Sequence, residues 1–163
     1  MTAASKTPGH DLELREEMVR LLEGGGAHAT FEDATLGFPT ALAGKTVPNV
    51  AHTPWEILEH LRLAQWDILE YCRNPKHKSP KWPDGYWPAE STPPQPGSWE
   101  KSVREFLENR GALTAWVRDP STDLFAPVPD DEGPTLLHEL VITAQHNSYH
   151  LGQLLLLRRA LER

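Results

Sequence analysis

The chain has one cysteine, Cys72, in 163 residues, so no intrachain disulfide is possible. It has no long hydrophobic run. The longest, Leu154 to Leu157, is far too short to span a bilayer, and the opening stretch MTAASKTPGHDLELREE lacks the apolar segment of a signal peptide. A cytoplasmic protein, not a membrane protein, is expected. Positive charge is scarce: 16 Lys and Arg stand against 23 Asp and Glu, a formal net charge of −7. Nucleic-acid binding draws its affinity from cations at phosphates. The only basic pair, Arg158-Arg159, sits where a helix C-terminus favours cations, so nucleic acid is not an expected partner. Strand-like alternation and internal repeats are also missing.

What is present describes one ordered domain covering residues 1–163. The chain is 39% hydrophobic and 24% charged, an ordinary globular balance. The 15 prolines gather mainly in 75–96 and 120–134, which predicts ordered linkers there, because proline breaks helix interiors. Four segments carry helical periodicity. The first spans Asp11 to Glu23, with Leu14, Met18, Leu21 and Leu22 on one stripe, and ends at Gly24-Gly25-Gly26. A short helical piece is predicted from Phe31 to Leu36, capped by Thr30. The second main helix begins at Thr53-Pro54-Trp55-Glu56, an N-cap threonine, a proline at the first helical position and a glutamate closing a capping box. Its core stripe is Ile57, Leu61, Ala64, Ile68 and Tyr71, and Pro75 stops it. The third helix runs from Ser98 to Val117. The fourth follows Gly133-Pro134, is capped by Thr135 and continues to the C-terminus. The predicted architecture is all-α: an up-down four-helix bundle with long proline-rich loops, neighbouring helices packing antiparallel by default.

Eight histidines are many for this length. Context sets most of them aside: His10 in the N-terminal tail, His28 in the glycine-rich loop, His77 in the proline-rich linker and His52 just before a helix. His146 and His150 lie four residues apart on the last helix, a spacing that puts two side chains on one face, about 6 Å apart at Cβ, and lets both reach one ion at about 2.0–2.1 Å. Alone, such a pair is as readily a polar helix face. On the second helix His60 lies beside the core stripe, where a lone histidine is usually a hydrogen-bonded core residue. Opposite a facing pair it becomes a third candidate ligand. His138 precedes His146 by a rise of about 12 Å and is expected at a boundary position. The main apolar face of the last helix (Leu137, Leu140, Ala144, Leu151, Leu155) is centred away from the pair, which suits either a cleft or a plain polar boundary.

The run Gln145-His146-Asn147-Ser148-Tyr149-His150-Leu151-Gly152-Gln153, followed by Leu157-Arg158-Arg159, resembles the last helix of the DinB-like (DinB/YfiT) family of metal-dependent enzymes. Thr53 to Leu61 resembles that family's second helix, and Lys81-Trp82-Pro83-Asp84-Gly85-Tyr86-Trp87-Pro88 a loop of one of its subgroups. The resemblance implies a four-helix bundle, a three-histidine site for Ni, Zn, Mn or Fe at His60, His146 and His150, and a homodimer. The family name records a DNA-damage-inducible gene and implies no DNA binding.

Three imidazoles leave a divalent ion with open positions, as in catalytic sites. Such an ion activates water for hydrolysis of a small amide or ester, or holds a thiol as thiolate. Some relatives resemble enzymes that use a low-molecular-weight thiol, so a small-thiol-dependent S-transferase is the first expectation. A hydrolase and a non-catalytic metal-binding stress-response protein are the alternatives. Glu59 points about 100° away from His60, and Glu139 lies two turns from His146, so no general base is evident. Tyr149 and Gln153 are candidate contacts around the site or with substrate, and Trp82, Tyr86 and Trp87 are candidate walls of a cleft. Cys72, at a helix C-terminus where a thiolate is disfavoured, is expected to be buried packing. Four consecutive leucines cover every side of a helix, so at least one of Leu154–Leu157 should face away from the core, and a dimer interface is expected there.

Overall fold

A computed structural model describes residues 8–130 and 132–163, and among these it has five α-helices. They are α1 (Pro8–Glu23), α2 (Phe31–Thr35), α3 (Pro54–Arg73), α4 (Ser98–Arg118) and α5 (Leu136–Leu161), with 3-10 turns at Thr40–Leu42 and Asp84–Tyr86. Among the described residues there is no strand, only an isolated antiparallel bridge between Pro127 and Thr135. No helix is long and apolar enough to cross a membrane, again among the described residues.

The predicted caps form. Thr53 accepts a hydrogen bond from the Glu56 backbone N–H, and the Glu56 carboxylate accepts one from the Thr53 N–H, so two orphan donors of α3 are satisfied at once. Thr30 with Asp33 does the same for α2, and Thr135 caps α5. Gly97 opens α4 at φ 83°, a left-handed conformation that glycine adopts without strain.

The four long helices close a ring in which α3 and α1 each pack on both α4 and α5. This position explains the burial of α3. Ile57, Leu61 and Ala64 of the predicted stripe are buried and Ile68 and Tyr71 half-buried, but Leu58, Gln65, Leu69 and Cys72 are buried as well, because the helix has two covered faces. The α3–α4 pair departs from the antiparallel default. Glu59 meets Ser102, Arg62 meets Glu105 and Gln65 meets the Phe106 carbonyl, so residue numbers rise together and the two helices run parallel. The 74–97 connection is long enough to return along the bundle, which permits a parallel neighbour. Against α5 the order reverses: His60 meets His150 and Gln65 meets Asn147, an antiparallel pair.

On α5 the predicted face holds: Leu140, Ala144 and Leu151 are buried and Leu137 and Leu155 partly so. Leu154 and Leu157 are buried too, whereas Leu156 is 67% exposed, the outward leucine expected of the run. Arg158 donates to the carbonyls of Asp33, Ala34 and Leu36, tying the last helix to the end of α2.

Thr53 both caps α3 and donates its hydroxyl to the Ser91 carbonyl, 2.7 Å away. Thr53→Ala should therefore lower stability by about 1–2 kcal/mol in urea unfolding, the upper part of the range for a lost cap. An unchanged midpoint would show that the cap contributes nothing to α3.

Candidate metal centre

The antiparallel packing of α3 on α5 brings His60 against His146 and His150, which the four-residue spacing had already placed on one face. His60 Nε2 lies 3.0 Å from His146 Nε2 and 3.1 Å from His150 Nε2, and one ligand atom from each of the three rings lies within 4.8 Å of the others. His60 is buried and the pair on α5 half-buried. The flank position of the pair on α5 is thus an inward-facing position, because α3 covers that flank.

Two of the three rings, His60 and His150, are held from behind. His60 Nδ1 donates to the Tyr86 carbonyl at 2.9 Å. A carbonyl can only accept, so this ring carries its proton on Nδ1 and presents a bare Nε2. With the Gln153 amide turned oxygen-inward, Oε1 lies 2.7 Å from His150 Nδ1 and accepts from it, which leaves that Nε2 bare. Two lone pairs therefore face each other across 3.1 Å. Such a contact calls for a cation between the rings. A proton is a poor candidate: burial first, then the neighbouring imidazoles, push His146 down to about 4, while burial pushes His150 to about 4 and also lowers His60. The rings stay neutral at neutral pH, the form in which imidazole ligates metal. Nitrogens at about 2.1 Å from one ion and at right angles would stand about 3.0 Å apart, so the spacing fits a divalent ion with further positions open.

The family model of the DinB superfamily matches residues 25–154 of this chain, a span that contains all three histidines. The chain belongs to the DinB superfamily. No curated protein and no solved structure matches it. Within this superfamily member, the fold and the three-histidine cluster agree with what the resemblance implied, and the cluster can hold a metal ion.

The other singled-out residues divide. Trp87 stacks on His60, ring centroids 4.0 Å apart and nearly parallel, and Tyr149 meets His150 edge-on at 4.8 Å. Gln153 and Tyr86 touch the cluster through the hydrogen bonds above. Trp82 is 70% exposed, and its ring contact is with Tyr86. Glu59 is buried but occupied by Ser102 and Arg62, and Cys72 is buried with its thiol pushed up to about 12, chiefly by burial. His138 is exposed, not at a boundary, because it lies on the side of α5 turned away from the buried Leu136 and Leu140.

Two of the histidines set aside by context belong near the cluster. His52 stacks on the other face of Trp87, at 3.9 Å, so Trp87 lies between His52 and His60. His77 bonds the buried Asp67 on α3. Both sit in loops whose paths over the helices carry no periodic signal. His28 reaches Ser148 Oγ at 3.0 Å and pins the glycine-rich loop to α5.

The lowered histidines set a pH dependence for the metal-free protein. Between about pH 6.5 and 4 the unfolded chain binds protons at His146 and His150 that the folded chain does not. Stability is full above the ordinary imidazole range and falls as pH drops toward 4. Denaturant unfolding in chelator across pH 7.5–4 should show this decline, and a His146→Gln/His150→Gln variant should show a flatter profile. Parallel profiles would refute the assignment of these two groups.

Proposed function

We propose that this DinB superfamily member is a metal-dependent enzyme, a small-thiol-dependent S-transferase, with a divalent ion (Ni, Zn, Mn or Fe) held by the Nε2 atoms of His60, His146 and His150. The observation that carries this reading is the convergence of three neutral imidazoles on one point, two of them anchored from behind. When bound, the ion would supply a positive charge that deprotonates a thiol outright.

Three neutral ligands bring no negative charge, so the remaining positions favour an anion such as a thiolate. Among the described residues no carboxylate joins the cluster; Glu59 and Asp67 are each engaged elsewhere. A thiolate at the ion would need no such group as a base. With an ion held by the three histidines, the thiol proton would pass to solvent, sulfur would bond to the electrophilic carbon, and the leaving group would depart with the electron pair. Trp87 and Tyr149 would flank the substrate, a small molecule and not nucleic acid, in a cytoplasmic setting. The outward face of α5, where Ile142, Tyr149 and Leu156 follow one another two turns apart and stay exposed, suits a homodimer.

Elemental mass spectrometry of untagged protein beside a His146→Ala/His150→Ala variant tests the site. About one ion per chain is expected in the parent and at most a tenth of that in a variant that keeps its helicity. The parent should then turn over thiols with electrophiles. Turnover of esters or amides alone would favour the hydrolase, stoichiometric metal with no turnover a non-catalytic metal-binding protein, and no metal after incubation with Zn, Ni, Mn and Fe(II) would end the metal reading.

A further inference from the structure

We propose that Asp67 is a positioning residue for His60, acting through Tyr86; the role it serves in metal binding rests on the metal reading above. His60 and Asp67 stand seven residues apart on α3, two turns along one face and about 10.5 Å of rise. Tyr86 bridges that distance. Its backbone carbonyl accepts from His60 Nδ1 at 2.9 Å, and its hydroxyl donates to Asp67 Oδ2 at 2.6 Å. The other carboxylate oxygen, Oδ1, is held by His77 Nε2, also at 2.6 Å. Both ends of one residue of the loop are thus fixed to one face of one helix.

Asp67 is 6% exposed, and its side-chain partners are Tyr86 and His77, with neither lysine nor arginine in reach of a salt bridge among the described residues. Burying a carboxylate on these terms is costly, and an apolar side chain would pack the same helix face without that cost. The carboxylate does something an apolar residue cannot: it accepts from two loop side chains and fixes where the loop lies. The loop needs such a fixture, because between Asn74 and Gly97 only the 3-10 turn Asp84–Tyr86 is regular. The turn is packed tightly beneath the anchor as well. A Cβ at Gly85 would lie 2.7 Å from the Pro80 Cβ, so glycine lets the chain pass close enough for the next carbonyl to reach His60.

The consequence falls on His60. The Tyr86 carbonyl decides which ring nitrogen carries the proton, and so which one faces His146 and His150. Released from Asp67, the turn could tilt and take the carbonyl with it, while the Trp87 stack would still hold the ring plane. The ring would then populate both tautomers, one of which presents an N–H to the cluster in place of a lone pair.

Tyr86→Phe tests this, since it removes the hydroxyl and leaves the carbonyl in the chain. Asp67→Asn is the second variant and keeps one acceptor oxygen. The deciding measurement is made on metal-free protein at pH 7.5: long-range nitrogen–proton correlation NMR of the His60 ring. The parent should show the Nδ1-protonated tautomer alone. Tyr86→Phe should show a mixture, and Asp67→Asn a smaller shift in the same direction. Cobalt(II) affinity, measured by chelator competition, should fall about tenfold in Tyr86→Phe, the lower end of the loss typical for residues behind metal-bound histidines, and less in Asp67→Asn. A His60 tautomer unchanged in both variants overturns the inference whatever the affinity does. Failure of the parent to bind cobalt overturns the metal reading instead and leaves the tautomer result to judge this one.

Discussion

Most of this structure depends on α3 being covered on two faces at once. A helix packed against a single neighbour needs one apolar stripe. Lying between α4 and α5, α3 buries Ile57 and Leu61 together with Leu58 and Leu69. That leaves little of its surface for polar groups, and those it carries inward mostly find a partner within the protein, the buried Trp55 indole N–H being an exception. Gln65, 1% exposed, donates to the Phe106 carbonyl on α4 and accepts from Asn147 on α5. Glu59 meets Ser102 and Arg62. These contacts fix the register of both neighbours, and with it the height at which His60 meets α5.

At that height the polar group without an ordinary partner is the imidazole cluster itself. Tyr86 and Gln153 satisfy the outer nitrogens of His60 and His150, so the inner nitrogens are bare and face each other. The lowered proton affinity of the three rings and their fitness for a cation have the same origin. Burial disfavours a charged ring, and three such rings at close range disfavour it further. Positive charge could instead enter as one metal ion held by all three.

Around the cluster, rigid helices supply the three histidines and an irregular loop helps set the orientation of His60. The loop reaches the site from one side through the Tyr86 carbonyl and the Trp87 ring, with His52 stacked beyond. In this superfamily member a change in the loop can therefore alter the surroundings of the site while its three histidines stay in place. The four-helix scaffold and the aromatic wall are separable in this sense, although Asp67 links them.

The sequence by itself determined the helices, their caps and the three histidines, because each depends on spacing along one chain segment. Thr53, Pro54 and Glu56 mark the start of α3 wherever it packs, and His146 and His150 share a face in any α-helix. The tertiary structure alone decided what those faces meet. The wheel for α5 left its histidine flank open to either a cleft or a boundary, and the packing of α3 settled it. The parallel course of α4 beside α3 follows from how the long 74–97 connection returns, which proline content does not encode. His52, His77 and Asp67 were not legible as neighbours of the site for the same reason: a loop has no period from which to read direction, and only its contacts with distant helices fix where its side chains lie.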